Sequence, residues 1–125
     1  MQAQIRTSQS QDDYLEAILT ITNENGFCRS IDLAQHLGFA TSSVSIAVGK
    51  LMKAALVERG HAGELLLTEA GRQIAESIYE KHQFFTKWLT SIGVDPEIAE
   101  NDACHMEHAI SDVSFEKLKL HICQS

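Results

Sequence analysis

Ser30-Ile31-Asp32-Leu33-Ala34-Gln35-His36-Leu37-Gly38-Phe39-Ala40-Thr41-Ser42-Ser43-Val44 reads as one short helix, a tight joint and the start of a second helix. Ile31, Leu33, Ala34 and Leu37 supply the apolar side of the first helix, and Gly38 closes it, because glycine tolerates the left-handed backbone at a helix end. Ser30 and Thr41 are expected to cap the two helices. The second continues inward with Val44, Val48, Leu51 and Met52. Leu56-Val57-Glu58-Arg59 and Glu64-Leu65-Leu66-Leu67 are strand-like, with the turn Gly60-His61-Ala62-Gly63 between them. Two short helices followed by a hairpin is the order of a winged helix-turn-helix.

Upstream, Tyr14, Leu15, Ile18, Leu19 and Ile21 make a helical stripe within Gln9–Asn23, which Asn25-Gly26 ends. Downstream, Thr68-Glu69-Ala70-Gly71 starts a long helix whose apolar positions Ile74, Ile78, Phe85, Trp88 and Leu89 keep helical spacing to about Ile92. Asp95-Pro96-Glu97 is a cap followed by a first-turn proline, and that helix is expected to run to about Ala109. Ser111 or Ser114 caps a last short helix with Phe115 and Leu118. The expected fold is mainly α: a winged helix-turn-helix DNA-binding domain over residues 1–71, then a helical metal-binding and dimerisation domain over 72–125. The stripe Ile74, Ile78, Phe85, Trp88, Leu89 is more apolar than a monomer of this size needs. Part of it is expected between the subunits of a homodimer, with Trp88 or Phe85 near the centre.

The 125 residues, 44% hydrophobic with a single proline, suit a packed helical core and exclude a disordered chain. No apolar run approaches the roughly 20 residues of a bilayer span, and Met1-Gln2-Ala3-Gln4-Ile5-Arg6 holds no signal-peptide core. A cytoplasmic protein with no membrane partner is expected. Cys28, Cys104 and Cys123 are too few and too scattered for a disulfide framework, and Cys28 and Cys123 are expected to be inert thiols.

The net charge of -7 opposes binding to phosphate, yet it is unevenly spread. Between Phe27 and Gly63 the charged residues are Arg29, Asp32, Lys50, Lys53, Glu58 and Arg59, a local basic excess. Thr41, Ser42, Ser43 and Ser45 bring hydroxyls to phosphates and base edges, while Arg29, Lys50 and Lys53 reach the backbone of double-stranded DNA. No Arg, Gln or Asn stands at the start of the recognition helix to read a particular base.

Cys104-His105-Met106-Glu107-His108 carries the second chemistry. On a helix Cys104, Glu107 and His108 fall within an arc of about 100°, so thiolate, carboxylate and imidazole share a face, whereas His105 points about 160° away from Glu107. Asp13 and Glu16 form another pair at i, i+3. Taken singly each has a plainer reading: solvated first-turn acids, or a small buried thiol. Ligands on both sides of a DNA-reading module suggest a DNA binder gated by a divalent metal.

Asp13-Tyr14-Leu15-Glu16-Ala17-Ile18, Ile31-Asp32-Leu33-Ala34, Thr41-Ser42-Ser43-Val44-Ser45, Leu67-Thr68-Glu69-Ala70-Gly71 and Ala103-Cys104-His105-Met106-Glu107-His108-Ala109-Ile110-Ser111 together resemble the diphtheria-toxin-repressor family of metal-dependent transcriptional regulators. The match covers most of residues 10–115 and is similar to the short manganese-transport-regulator branch. The resemblance implies a homodimer on a DNA operator, repressing manganese or iron uptake genes. It implies metal ligands at Asp13, Glu16, His82, Cys104, Glu107 and His108, and manganese or iron(II) as the ion. Asp13 follows the manganese branch and Cys104 the iron branch; Thr86 stands where the iron branch carries a glutamate. Two other readings compete: a small binuclear metallohydrolase, in which paired ions activate water, and a winged-helix regulator indifferent to metal.

Overall fold

The computed structural model describes residues 7–123. Its elements in chain order are α1 (Gln9–Asn25), α2 (Ser30–Leu37), α3 (Thr41–Lys53), β1 (Val57–Arg59), β2 (Leu65–Leu67), α4 (Glu69–Ser91), α5 (Pro96–Met106) and α6 (Asp112–Cys123). They divide into two compact units, residues 1–76 and 77–125. The division falls inside α4, whose first turns place Ala70, Ile74 and Ala75 in the first unit's core. Among the described residues no helix is long and apolar enough to cross a membrane.

In the first unit α1 begins with a reciprocal cap: Gln11 N–H donates to the Ser8 hydroxyl at 3.2 Å, and Ser8 N–H donates to the Gln11 side-chain oxygen at 3.1 Å. The other two helices start differently from expectation. The cap of α2 is Arg29, with extended backbone, and the Asp32 carboxylate accepts its N–H at 3.0 Å; Ser30 is already helical. The cap of α3 is Ala40, and no side chain there accepts a bond, so Thr41 is the first helical residue rather than a cap. The N-terminal amides of α3 are therefore left to whatever lies beyond the helix.

Leu15, Ile18, Leu33, Val44, Val48, Leu51, Leu56 and Leu65 are buried to 1% exposure or less and form the centre of this unit. The hairpin pairs Val57 with Leu67 and Arg59 with Leu65 in antiparallel register. It is tied to the helices through Leu65 N–H, which donates to the Cys28 carbonyl at 2.7 Å. Cys28 itself is fully buried, which pushes its thiol up to about 11, a displacement that nearby Asp32 reinforces; it is an inert core residue. Thr68 joins the hairpin to α4: its hydroxyl donates to the Ala55 carbonyl at 2.7 Å and accepts from Gly71 N–H at 3.1 Å.

The second unit packs Phe85, Ala103 and Phe115, each 3% exposed or less, with Phe84, Trp88, Met106, Ile110 and Leu118 around them. Phe84 and Phe115 meet edge to face, with ring centroids 5.4 Å apart. Two expectations change here. Helix α5 stops at Met106, so Glu107 and His108 stand in the turn that follows and not on the helix itself. Ile78 and Phe85 are 5% and 1% exposed within one chain, so neither has area left to offer a partner subunit; Trp88 and Leu89 are half-buried and retain some.

Helix α6 is anchored at its start. Ser111 Oγ accepts from Ser114 N–H at 3.1 Å, which makes Ser111 its cap. Lys81, only 6% exposed, bonds the Asp112 carboxylate at 2.7 Å and the Ile110 carbonyl at 3.3 Å, and the Ser77 hydroxyl donates to Asp112 at 3.1 Å. The Lys81 bond foremost, then the Ser77 hydroxyl, holds the Asp112 carboxyl below the usual carboxylate range. A lowered folded value contributes stability above the unfolded carboxylate's pKa of about 3.9, and that stability is lost as pH falls through the folded value. The native protein should therefore lose more melting temperature on acidification below that range than Asp112→Asn does. Parallel thermal melts of the two across that range would disprove the linkage.

Candidate functional site

Three elements of the second unit deliver ligand atoms to one point. His82 comes from the middle of α4, Cys104 from the last turn of α5, and Glu107 from the turn behind it. His82 Nδ1 lies 3.0 Å from Glu107 Oε2 and 3.6 Å from Cys104 Sγ, and the three ligand atoms all fall within 4.8 Å of one another. His108 adds an imidazole, with Nε2 3.4 Å from Glu107 Oε1. Glu107 is 3% exposed and its ion-pair partners are these two histidines. A carboxylate withdrawn from water in this way is costly unless positive charge reaches it. Donors around one ion at about 2.0–2.3 Å stand roughly 3–4 Å from each other, and the His82–Glu107 and His82–Cys104 separations of 3.0 and 3.6 Å lie in that range. The donor set of two imidazoles, a carboxylate and a thiol therefore fits a divalent transition metal.

Glu107 keeps right-handed helical backbone and its N–H donates to the Ala103 carbonyl at 3.0 Å, so it stays on the Cys104 side, where His82 and His108 meet opposite oxygens of its carboxylate. One turn along α4 from His82, the Thr86 hydroxyl is buried without a hydrogen-bond partner and offers no carboxylate. Asp13 and Glu16 belong to the first unit, where they lie half-buried on α1. The cluster of convergent ligand atoms among the described residues is made of second-unit residues.

The second candidate surface is the outward side of α3. Thr41, Ser42, Ser43, Ser45, Lys50 and Lys53 are all exposed, as is Arg29 at the start of α2, whose guanidinium lies 5.3 Å from the centre of the Phe27 ring. Two neighbours were not singled out from sequence. Ile46 is 64% exposed in mid-helix. At Gly49 a Cβ would meet nothing within 4 Å, so no packing within the chain calls for glycine there. The lack of a polar group at these positions hid them from a search for base-reading side chains.

Residues 6–65 match the profile of the iron dependent repressor N-terminal DNA binding domain, and residues 68–122 that of the iron dependent repressor metal binding and dimerisation domain. The transcriptional regulator MntR of Escherichia coli is 34% identical over 109 residues, covering 87% of this chain and 70% of the relative. The HTH-type transcriptional regulator MntR of Bacillus subtilis is 34% identical over 113 residues, covering 90% and 79%. The solved structure of the manganese regulator SloR superposes with a TM-score of 0.78 at 26% identity, over 92% of this chain and 54% of that one.

Proposed function

This chain belongs to the diphtheria-toxin-repressor family, the iron-dependent repressors, in the branch of the MntR regulators, and from that premise we propose that it represses genes for manganese or iron uptake. It is a metal-dependent, DNA-binding transcriptional regulator and not an enzyme. It acts as a homodimer on a double-stranded operator, in the cytoplasm. The observation that carries the reading is the meeting of His82 Nδ1, Cys104 Sγ and a buried Glu107 carboxylate in a chain that also holds a winged helix-turn-helix.

The ligand set we assign is Asp13, Glu16, His82, Cys104, Glu107 and His108, supported in the second unit by convergence and on α1 by the i, i+3 spacing of two half-buried acids. When bound, the divalent cation supplies the positive charge that this acidic set lacks. Asp13, Glu16 and Glu107 would otherwise repel one another if they were gathered, and that repulsion is the chain's own bias against the DNA-binding state. The α3 hydroxyls and the Lys50 and Lys53 ammonium groups meet the phosphates, and twofold symmetry sets two recognition helices near one DNA turn apart, about 34–36 Å.

The test is fluorescence anisotropy with the full chain and a duplex selected from a randomised pool, run with manganese, iron(II), cobalt and zinc and with chelator. Metal should tighten binding about 5- to 150-fold, the usual range of a coupling between two sites. Equal affinity with metal and with chelator would favour a winged-helix regulator indifferent to metal. The same assay examines Cys104. A thiolate is softer than a carboxylate, so Cys104→Glu should respond better to manganese and worse to zinc and cobalt than the native chain, and should lose sensitivity to oxidants. An unchanged metal ranking and unchanged oxidant response would remove Cys104 from the ligand set.

A further inference from the structure

Helix α3 buries Val44, Val48 and Leu51, and their mean direction defines its inner side. At 100° per residue Ile46 points roughly 170° away from that direction, the outermost line of the helix. On the same outer side stand Ser42 before it and Gly49 and Lys53 after it. Ile46 is thus a bare isoleucine, 64% exposed, at the centre of a surface otherwise made of hydroxyls, a glycine and lysines. Folding does not account for it: the residue contributes little burial, and a β-branched side chain is a poorer helix former than alanine. Gly49 points the same way, for a mid-helix glycine costs about 1 kcal/mol relative to alanine and has open space around it.

An apolar side chain at the centre of a helix laid in the major groove has one matching group there. That group is the C5-methyl of thymine, the apolar feature of the groove's edge. We propose that Ile46 is a specificity-determining residue of this chain and that it reads the operator by packing on thymine methyls. The uncapped start of α3 and its hydroxyls face phosphate and sugar, Lys50 and Lys53 hold the backbone, and the absence of a side chain at Gly49 lets the groove edge come close. This inference rests on the DNA-binding function proposed above. It assigns base choice to an apolar contact, which supplies what the helix lacks in Arg, Gln and Asn.

The experiment replaces thymidines one at a time by deoxyuridine in the duplex selected by the native, manganese-loaded chain, which removes a methyl and nothing else. At one or two positions of each half-site the native chain should lose about fourfold per methyl, the value of one buried carbon, and roughly sixteenfold for a symmetric pair. Ile46→Ala should bind the thymidine duplex with that weakened affinity and be indifferent to deoxyuridine at those positions. Its affinity for random-sequence DNA and its salt dependence should match the native chain, since both are set by phosphate contacts; this also shows that the variant is folded. If native chain and Ile46→Ala respond alike to every deoxyuridine, the inference is overturned while the regulator reading stands. If the native chain selects no sequence and binds no DNA in any metal, the regulator reading falls and takes the inference with it.

Discussion

Glu107→Gln should weaken manganese binding by roughly a hundredfold or more, beyond the loss seen when groups supporting a metal ligand are changed, and should abolish the metal response of DNA binding at micromolar metal. The substitution keeps the shape of the side chain and removes its charge. It leaves an amide oxygen to face His82 Nδ1, now 3.0 Å from Glu107 Oε2, and frees the site of a carboxylate only 3% exposed between two imidazoles. In chelator the variant should therefore melt within a few degrees of the native protein, because a neutral group in a dry site costs less than an ion held by histidines. Calorimetric titration with manganese reads the affinity, and a thermal melt in chelator reads the fold. A variant that binds manganese as tightly as the native chain would exclude Glu107 as a ligand. One that is already unfolded in chelator would make the carboxylate structural.

Gly71→Ala is the larger test of the fold. Gly71 lies in the first turn of α4, and a Cβ there would stand 2.0 Å from the Leu56 carbonyl oxygen and 3.0 Å from its carbon. Neither atom can yield alone. The Leu56 carbonyl also accepts Thr68 N–H at 3.1 Å, and Leu56 is 1% exposed. Thr68 in turn holds both Gly71 N–H and the Ala55 carbonyl. The added methyl must therefore push α4 off the hairpin. The expected cost is about 3 kcal/mol or more, a large part of the 5–15 kcal/mol that a domain usually has. Helix propensity alone would favour alanine by about 1 kcal/mol, so the sign of the change separates the two effects. Chemical denaturation showing equal or greater stability would mean that the two segments do not touch in solution.

The helices were legible because their apolar residues repeat at helical spacing, and four of the ends because glycine, proline or serine marks them: Gly26, Gly38, Asp95-Pro96 and Ser111. Ser30 and Thr41 misled as caps because a capping role belongs to the residue with extended backbone, and Arg29 and Ala40 take that conformation one position earlier. The end of α5 was hidden because Ala109 and Ile110 prolong the apolar rhythm past Met106, while Glu107 still has helical backbone and no glycine or proline marks the stop. Of the site, Cys104, Glu107 and His108 could be found by spacing; His82, on another helix, came only through family resemblance. The fate of the long stripe was illegible for a different reason. Periodicity says which side of a helix is apolar but not whether its cover is the same chain, and Phe85 is covered by Ala103 and Phe115.

The bond from Leu65 N–H to the Cys28 carbonyl leaves the hairpin with two regimes. Everything from that amide inward is riveted to the loop between α1 and α2, and its strands cannot tilt unless that loop comes too. Beyond Gly60, whose N–H closes the ladder on Glu64, only His61, Ala62 and Gly63 remain, all exposed. The tip is thus a cantilever on a clamped beam. Residues inserted between His61 and Ala62 would lengthen that tip while leaving the strand pairing and the bond to Cys28 in place.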